Sequence, residues 1–504
     1  MAHVLSAHSM PESLIGERSN PLPVDEAYRL AAGGSLQAIR SALENVGRKQ
    51  SAQRTLLSAA RDILSGQVPR ALHQLEGALK TATEQDRPYF VDVLAPLYVM
   101  TNRVADLDAV VEADPGGHPL AVVIAALRAV RDGLKGRRAM VQAAIDDLAS
   151  YAACSEDDLL AGKVAQRLAL AAYYVKTYER ATSLAEASVQ SFQRANAARL
   201  AVTSYSIIYN VHHAVTGDSL ESLRAARQMA DFAKVAGDRV YQNIGLLAQY
   251  EIAAEMGDAD HLRELRVQIR REAVPEQFRE RFACRVADFL PFAWEGHFEA
   301  LRAGLSVARD ALRLTPPMRA LATSLMALSE CALGNEAESR RLSRAAISLA
   351  SLSIVESEPA YDRRYRLLAR AIAGSVCVLL GASDRGRRAI EAKAFANNAD
   401  LVAFAEVAHG RDYRELPTRN RGYGRAVQAA RDLTIKCRPG IDLTRTERAV
   451  LQLLAEGLTA AQIASETGRS VSTVRNHTRS IIEKFDVSGR VAAVSHARKL
   501  GLLG

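Results

Sequence analysis

The stretch Ile441–Leu503, IDLTRTERAVLQLLAEGLTAAQIASETGRSVSTVRNHTRSIIEKFDVSGRVAAVSHARKLGLL, carries punctuation that divides it into four helices. Thr444 with Glu447 three residues later predicts a capping box, Val450, Leu453 and Leu454 give the first helix its apolar stripe, and Gly457 ends it. Thr459 with Gln462 opens a second, shorter helix carrying Ile463 and Ala464. Gly468 and Arg469 then turn the chain, Ser470 stands where a cap is needed, and a third helix turns Val474, Thr478, Ile481, Ile482 and Phe485 inward. A fourth helix is expected from Arg490 to Leu503.

The outward face of the third helix presents Ser472, Arg475, Asn476, Arg479 and Glu483. An arginine can pair bidentately with guanine and an asparagine with adenine in the major groove of double-stranded DNA. A merely solvated helix would account for the polar face, but not for the short helix and tight turn before it, which together make a helix-turn-helix. Arg475, Asn476 and Arg479 are therefore the expected base contacts. Ser470, Ser472 and Thr473 at the helix N-terminus, with Lys484 and Arg490 further on, are expected at phosphates.

Charge agrees with this location. The formal charge is +8, and residues 407–504 hold 17 Lys and Arg against 9 Asp and Glu, leaving 48 against 48 in residues 1–406. The whole basic excess thus sits beside the helix-turn-helix, as a polyanion-binding module requires.

At 504 residues the chain exceeds one ordinary core. Its 48% apolar, 24% charged and 5% aromatic composition, rich in Ala, Leu and Arg, reads as globular and all-α. Over residues 26–406 amphipathic segments alternate with short turns near Gly66, Asn102, Gly136, Lys176, Gly217, Gly257, Gly296, Gly334 and Gly381, spaced 34 to 47 residues apart. In the clearest copy, Leu321, Leu325, Leu328 and Ala332 mark one helical face and Ala337, Leu342, Ala345 and Leu349 the next. Such hairpins must stack to bury both faces, giving a helical-hairpin solenoid with a concave surface. Residues 1–25 are expected to be disordered, and 407–440, with Pro417, Pro439 and eight basic residues, to form a partly helical basic linker that extends the phosphate contacts.

Tyr205, Tyr209, His212, His213 and Trp294 would either line a ligand surface on the repeats or pack in the core, and core packing is the commoner fate of such groups. The five cysteines are scattered, and no His or carboxylate stands at zinc spacing, so neither metal nor cofactor is expected. The N-terminus lacks a continuous apolar segment and nothing resembles a membrane span, which predicts a cytoplasmic protein.

The C-terminal eighth of the chain resembles the LuxR/GerE family of DNA-binding domains through LTRTERAVLQLLAEGLT, QIA and STVRNHTRSIIEKFDV. The resemblance assigns Glu447 to the family's acidic position, Thr473 and Val474 to the opening of the reading helix, Arg475 and Arg479 to base contacts, and His477 to the phosphate backbone. It also implies a homodimer on DNA through the fourth helix, with Val491, Val494, Ala497 and Arg498 as contacts. Thr467, Arg469, Thr478 and Phe485-Asp486 depart from the usual residues and leave the site preference open. The repeats resemble a tetratricopeptide-type solenoid in architecture, without the full consensus in any one repeat.

These features imply a transcription regulator whose body senses a ligand or protein partner and controls DNA binding or RNA polymerase recruitment. GLKGRR at Gly133–Arg138 lacks the Gly-Lys-Ser/Thr ending of a phosphate-binding loop, and no nucleophile-base constellation emerges, so an enzyme is not expected. Two alternatives stay open: an interaction scaffold with a constitutive DNA address, and a sigma-factor-like protein bound to polymerase.

Overall fold

The computed structural model describes residues 22–47, 50–113, 115–272, 284–311, 315–351, 360–381, 404, 406–437, 443–485, 487–499 and 503. Their regular elements are all helices, so the fold is all-α, with a solenoid-like body of paired helices and a four-helix domain at the C-terminus. The expected unstructured residues 1–25 lie outside the described residues as far as 21, and the helix Val24–Gly33 begins within the remainder.

What makes the hairpins is the way their first helices stop. All nine turn positions named from the sequence adopt left-handed backbone, with φ between 56° and 80°. After the helix Pro316–Ala332, Gly334 takes φ 80°, its N–H donates to the Cys331 carbonyl, and Asn335 N–H reaches back to the Glu330 carbonyl at 2.9 Å. That pair of bonds satisfies carbonyls a helix end would otherwise leave bare and reverses the chain into the next helix. The same pattern follows the helix Asp158–Tyr174, where Thr177 N–H bonds the Ala172 carbonyl at 2.9 Å and the left-handed residue is Lys176, at φ 62°.

Some helices are enclosed on every side. Pro316–Ala332 buries residues all round, because it packs against Phe298–Ala311, Glu336–Ser351, Ala360–Leu379 and Arg421–Cys437 at once. Its partner Glu336–Ser351 buries one stripe, Ser339, Leu342, Ser343, Ala346 and Ala350. That face is rotated from the expected one, leaving Ala337 exposed, because Ser339 hydrogen-bonds the Ala327 carbonyl at 2.8 Å and so faces the neighbour.

The described chain forms two compact units: residues to Val211 with Arg224–Gly245, and His212–Leu223 with everything from Leu246 onward. A short π-helix, His212–Thr216, opens the first segment of the second unit.

The segment expected to be a basic linker is packed structure in its described part. The helix Arg421–Cys437 buries Tyr423, Ala426, Val427 and Ala430 in the second unit's core. Trp294 donates its indole N–H to the Gly422 carbonyl at 2.9 Å. Most of the segment's basic side chains are committed within the fold: Arg419 to the Thr216 carbonyl, Arg421 to the Leu416 carbonyl, Arg425 over the Trp294 ring, Arg431 to the Val407 carbonyl, and Arg411 and Arg414 to neighbouring carboxylates. Each of these six side chains is thus held by a partner within the fold.

Two substitutions of opposite sign test this account. A left-handed lysine costs about 1 kcal/mol more than a glycine there, so Lys176→Gly is expected to stabilise the first unit by about that amount. A Cβ on Gly422 would stand 1.9 Å from the Ala254 carbonyl oxygen, so Gly422→Ala must push its helix off the core, at about 1–3 kcal/mol. Denaturant unfolding of the full chain measures both, and a neutral Gly422→Ala would contradict the docked helix.

Candidate nucleic-acid interface

The last four helices, Arg445–Ala455, Ala460–Thr467, Val471–Phe485 and Arg490–Lys499, share a core of their own, built on Leu443, Val450, Leu451, Ile463, Ala464, Val474, Ile481, Phe485, Ala493 and Ala497. Both capping boxes form as the sequence predicts. Thr444 Oγ1 accepts from Glu447 N–H at 3.2 Å while Glu447 Oε2 accepts from Thr444 N–H at 2.7 Å, and Thr459 with Gln462 does the same for the second helix. Gly468 takes φ 62° and ends the second helix, and Ser470 Oγ then accepts from Thr473 N–H at 3.1 Å to start the third. Leu451 is enclosed in the first helix's stripe, whereas Leu453 and Leu454 flank it half-buried.

Glu447 ties the first helix to the third. Only 4% exposed, it accepts Ser480 Oγ at 2.6 Å on Oε1 and Lys484 Nζ at 2.7 Å on Oε2, besides its own cap bond. Burial alone would raise its pKa, but these bonds from Lys484, Ser480 and Thr444 outweigh it and hold the value at about 2. Ser480 and Lys484 lie on the third helix, so the carboxylate fixes how that helix turns.

With Val474, Ile481 and Phe485 buried, Arg475, Asn476 and Arg479 face outward and are exposed. At the helix N-terminus Ser470, Ser472 and Thr473 join in one hydroxyl cluster, with 2.8 Å from Ser470 Oγ to each neighbour's hydroxyl oxygen. Ser470, Ser472 and Arg490 are exposed, while Thr473 and His477 are half-buried. His477 keeps its Nε2 enclosed without a hydrogen-bond partner among the described residues. Lys484, expected at a phosphate, is exposed and pairs with Glu447.

The four residues expected at a dimer contact do not share one outward face. Val491 is 76% exposed and Val494 half-buried, but Ala497 is fully buried in the domain core. Arg498 donates to the Ala455 carbonyl at 3.3 Å, closing the C-terminal end of the first helix.

On the body, Trp294 and His213 belong to the second unit's interior, and Tyr209 to that of the first. Tyr205 is half-buried against Phe232, ring centroids 5.4 Å apart. These four are packed rather than laid out on a ligand surface, because each rests against neighbouring helices. His212 hydrogen-bonds Thr216 within the π-helix. The fold does gather His213, Glu251 and Glu255, a grouping invisible in the sequence. Arg364 already pairs with Glu255 and Tyr365 donates to Glu251, so both carboxylates are engaged by neighbouring side chains. Burial, then Arg364 and Arg419, push the His213 imidazole well below its usual pKa.

Residues 442–497 match the family described as bacterial regulatory proteins, luxR family. Among similar proteins, the spore germination protein GerE of Bacillus subtilis (strain 168) is 43% identical over 61 residues, which cover 12% of this chain and 82% of GerE. The transcriptional regulatory protein DesR of the same organism is 34% identical over 76 residues, 15% of this chain and 37% of DesR, so the match spans little more than a third of that relative. No solved structure matches the chain. Among the described residues, no helix is long and apolar enough to cross a membrane.

The Glu447 clamp has a pH signature. A carboxylate whose folded-state pKa lies below its unfolded value of about 4.3 contributes stability that is complete above about pH 5 and is lost as pH falls toward the folded value. Glu447→Gln is expected to cost the C-terminal domain about 1–3 kcal/mol at pH 7, with the difference from wild type shrinking between pH 5 and pH 3. Hydrogen exchange at the Val450 and Ile481 amides of the full chain, corrected for intrinsic rates, measures it. A difference that stays constant with pH would remove Glu447 from the role.

Proposed function

We propose, on the premise that this chain belongs to the luxR family of bacterial regulatory proteins, that it is a sequence-specific transcription regulator that reads DNA with the helix Val471–Phe485. The observation that carries this reading is the exposed Arg475, Asn476 and Arg479 face on a helix whose orientation is held by Glu447. Arg475 and Arg479 pair with guanine edges and Asn476 with an adenine edge, each good bidentate contact being worth about 1–3 kcal/mol of discrimination. Ser470, Ser472 and Arg490 position the helix on phosphates, which gives affinity but no sequence preference.

The protein acts as a homodimer on a site with two related half-sites about one helical turn apart. Val491 is the side chain on the fourth helix that supports this, since an aliphatic group 76% exposed gains most from a partner. The helical body is the sensor: a ligand or protein that binds its two states unequally shifts the protein between them and so controls DNA binding or polymerase recruitment. In this reading the protein works in the cytoplasm and catalyses no reaction.

Selection from fragmented genomic DNA by the full chain, beside an Arg475→Ala, Arg479→Ala variant, tests the first half. The wild type is expected to enrich one motif with dyad symmetry and the variant to lose it, while weaker salt-dependent binding to any sequence persists. Folded wild-type protein that enriches no motif, alone or with cell extract added, would overturn the reading-helix assignment.

A further inference from the structure

Within the first unit, side chains from four helices converge on a charged interior. Tyr28 comes from Val24–Gly33, Asp92 from Arg87–Met100, Lys163, Gln166 and Arg167 from Asp158–Tyr174, and Arg199 from Ala198–Val211. Asp92 is buried and heavily used: its Oδ2 accepts Tyr28 O–H at 2.8 Å and the Lys163 ammonium, while its Oδ1 lies 3.5 Å from Arg167 Nη2, at the outer limit of a hydrogen bond. Lys163 is 2% exposed and Arg167 6%.

The charges do not balance. Lys163, Arg167 and the part-buried Arg199 bring three cations, and the carboxylates that bear on them among the described residues are Asp92 and Asp238. Burial and the nearby Arg167 and Arg199 draw the Lys163 ammonium below its ordinary range while Asp92 opposes them. Arg167, one turn along the same helix, is only partly hydrogen-bonded. Its Nη1 donates to Gln166 Oε1 at 3.1 Å, but its Nε is buried with no hydrogen-bond partner among the described residues. A buried guanidinium N–H left without an acceptor is strongly unfavourable. Gln166 cannot turn to fill the gap without giving up the Leu200 carbonyl and Ser204 Oγ, to which its amide donates at 2.8 and 3.0 Å.

We infer that this interior is a binding site for a small oxyanion, a carboxylate or a phosphate, held on the Nε and Nη2 edge of Arg167. Its Nε–H lacks an acceptor and the adjacent Nη2 is held by Asp92 only at 3.5 Å, so the edge can offer the two parallel N–H groups that take a carboxylate or phosphate bidentately. The surplus cation supplies the charge that attracts it, and the buried Nε supplies a donor that lacks an acceptor. The inference deepens the sensing half of the function proposed above, but it is tested without DNA. Its failure would leave DNA reading untouched, and a failure of DNA reading would not affect it.

The experiment is hydrogen exchange and thermal unfolding of the full chain at fixed ionic strength, titrating sodium phosphate or sodium succinate against sodium chloride. At least one of the two oxyanions is expected to slow exchange saturably across Asp158–Tyr174, and which of them does so separates a phosphate ligand from a carboxylate. Arg167→Met is expected to abolish the effect and, in chloride, to unfold no lower than wild type, because it removes an uncompensated charge. Arg167→Lys keeps the charge without the paired N–H edge and is expected to weaken the oxyanion at least tenfold, which keeps the test decisive if the methionine variant misfolds. No saturable protection beyond chloride with either oxyanion, or protection that survives unchanged in Arg167→Lys, would overturn the site.

Discussion

Glu447 has two oxygens and three donors to satisfy: its own helix cap, a hydroxyl on Ser480 and the Lys484 ammonium. Because the carboxylate is buried, these bonds cannot be exchanged cheaply for water. The orientation of the reading helix follows. Ser480 and Lys484 are four residues apart on one side of that helix, so holding both turns Val474, Ile481 and Phe485 into the core and leaves Arg475, Asn476 and Arg479 outside. A DNA-reading surface must be exposed and fixed at the same time. A buried charge on the opposite side accomplishes that without using any residue of the surface itself.

The body meets the same constraint with backbone instead of side chains. Every helix end leaves carbonyls without partners, and a hairpin solenoid multiplies the ends. The left-handed residue after each first helix closes those carbonyls and sets the reversal in a single step, as at Gly334 and Lys176. Small residues then allow one helix to sit among several others, as Pro316–Ala332 does with alanines and serines on its enclosed faces.

Local signals were therefore the legible ones. Thr444 and Glu447, Thr459 and Gln462, Gly468 and Ser470 each act within three residues of one another, so their roles can be read along the chain without knowing the fold. What could not be read depends on distant partners. Asp92 meets Lys163 across 71 positions, and Trp294 meets Gly422 across 128. The helix Arg421–Cys437 shows a mixed case: Tyr423, Ala426, Val427 and Ala430 follow a helical stripe visible in the sequence, but the surrounding glycines and arginines suggest an open linker until their partners are known. Ala497, expected at a dimer contact, lies in the core: alanine suits a core and a helix contact equally well, and only the cluster it joins with Val450 and Phe485 decides between them.

The packed helix limits how the body and the DNA-binding domain can be joined. It is buried in the second unit's core through Ala426, Val427 and Ala430, and Leu443 of the C-terminal domain's core follows only six residues after the helix ends at Cys437. At about 3.5 Å per extended residue, the chain allows at most roughly 20 Å between those two points. Half-sites one helical turn apart are separated by about 34 Å. Two reading domains placed on such a site would therefore draw the bodies attached to them into each other's neighbourhood, whereas a long free linker would let the bodies range independently. A change in the body that alters how two copies approach would then reach DNA affinity through a short tether, with no rearrangement required inside the reading domain. The Glu447 clamp fits the proposed division of labour, since it favours a DNA-binding domain that stays rigid whatever happens in the body.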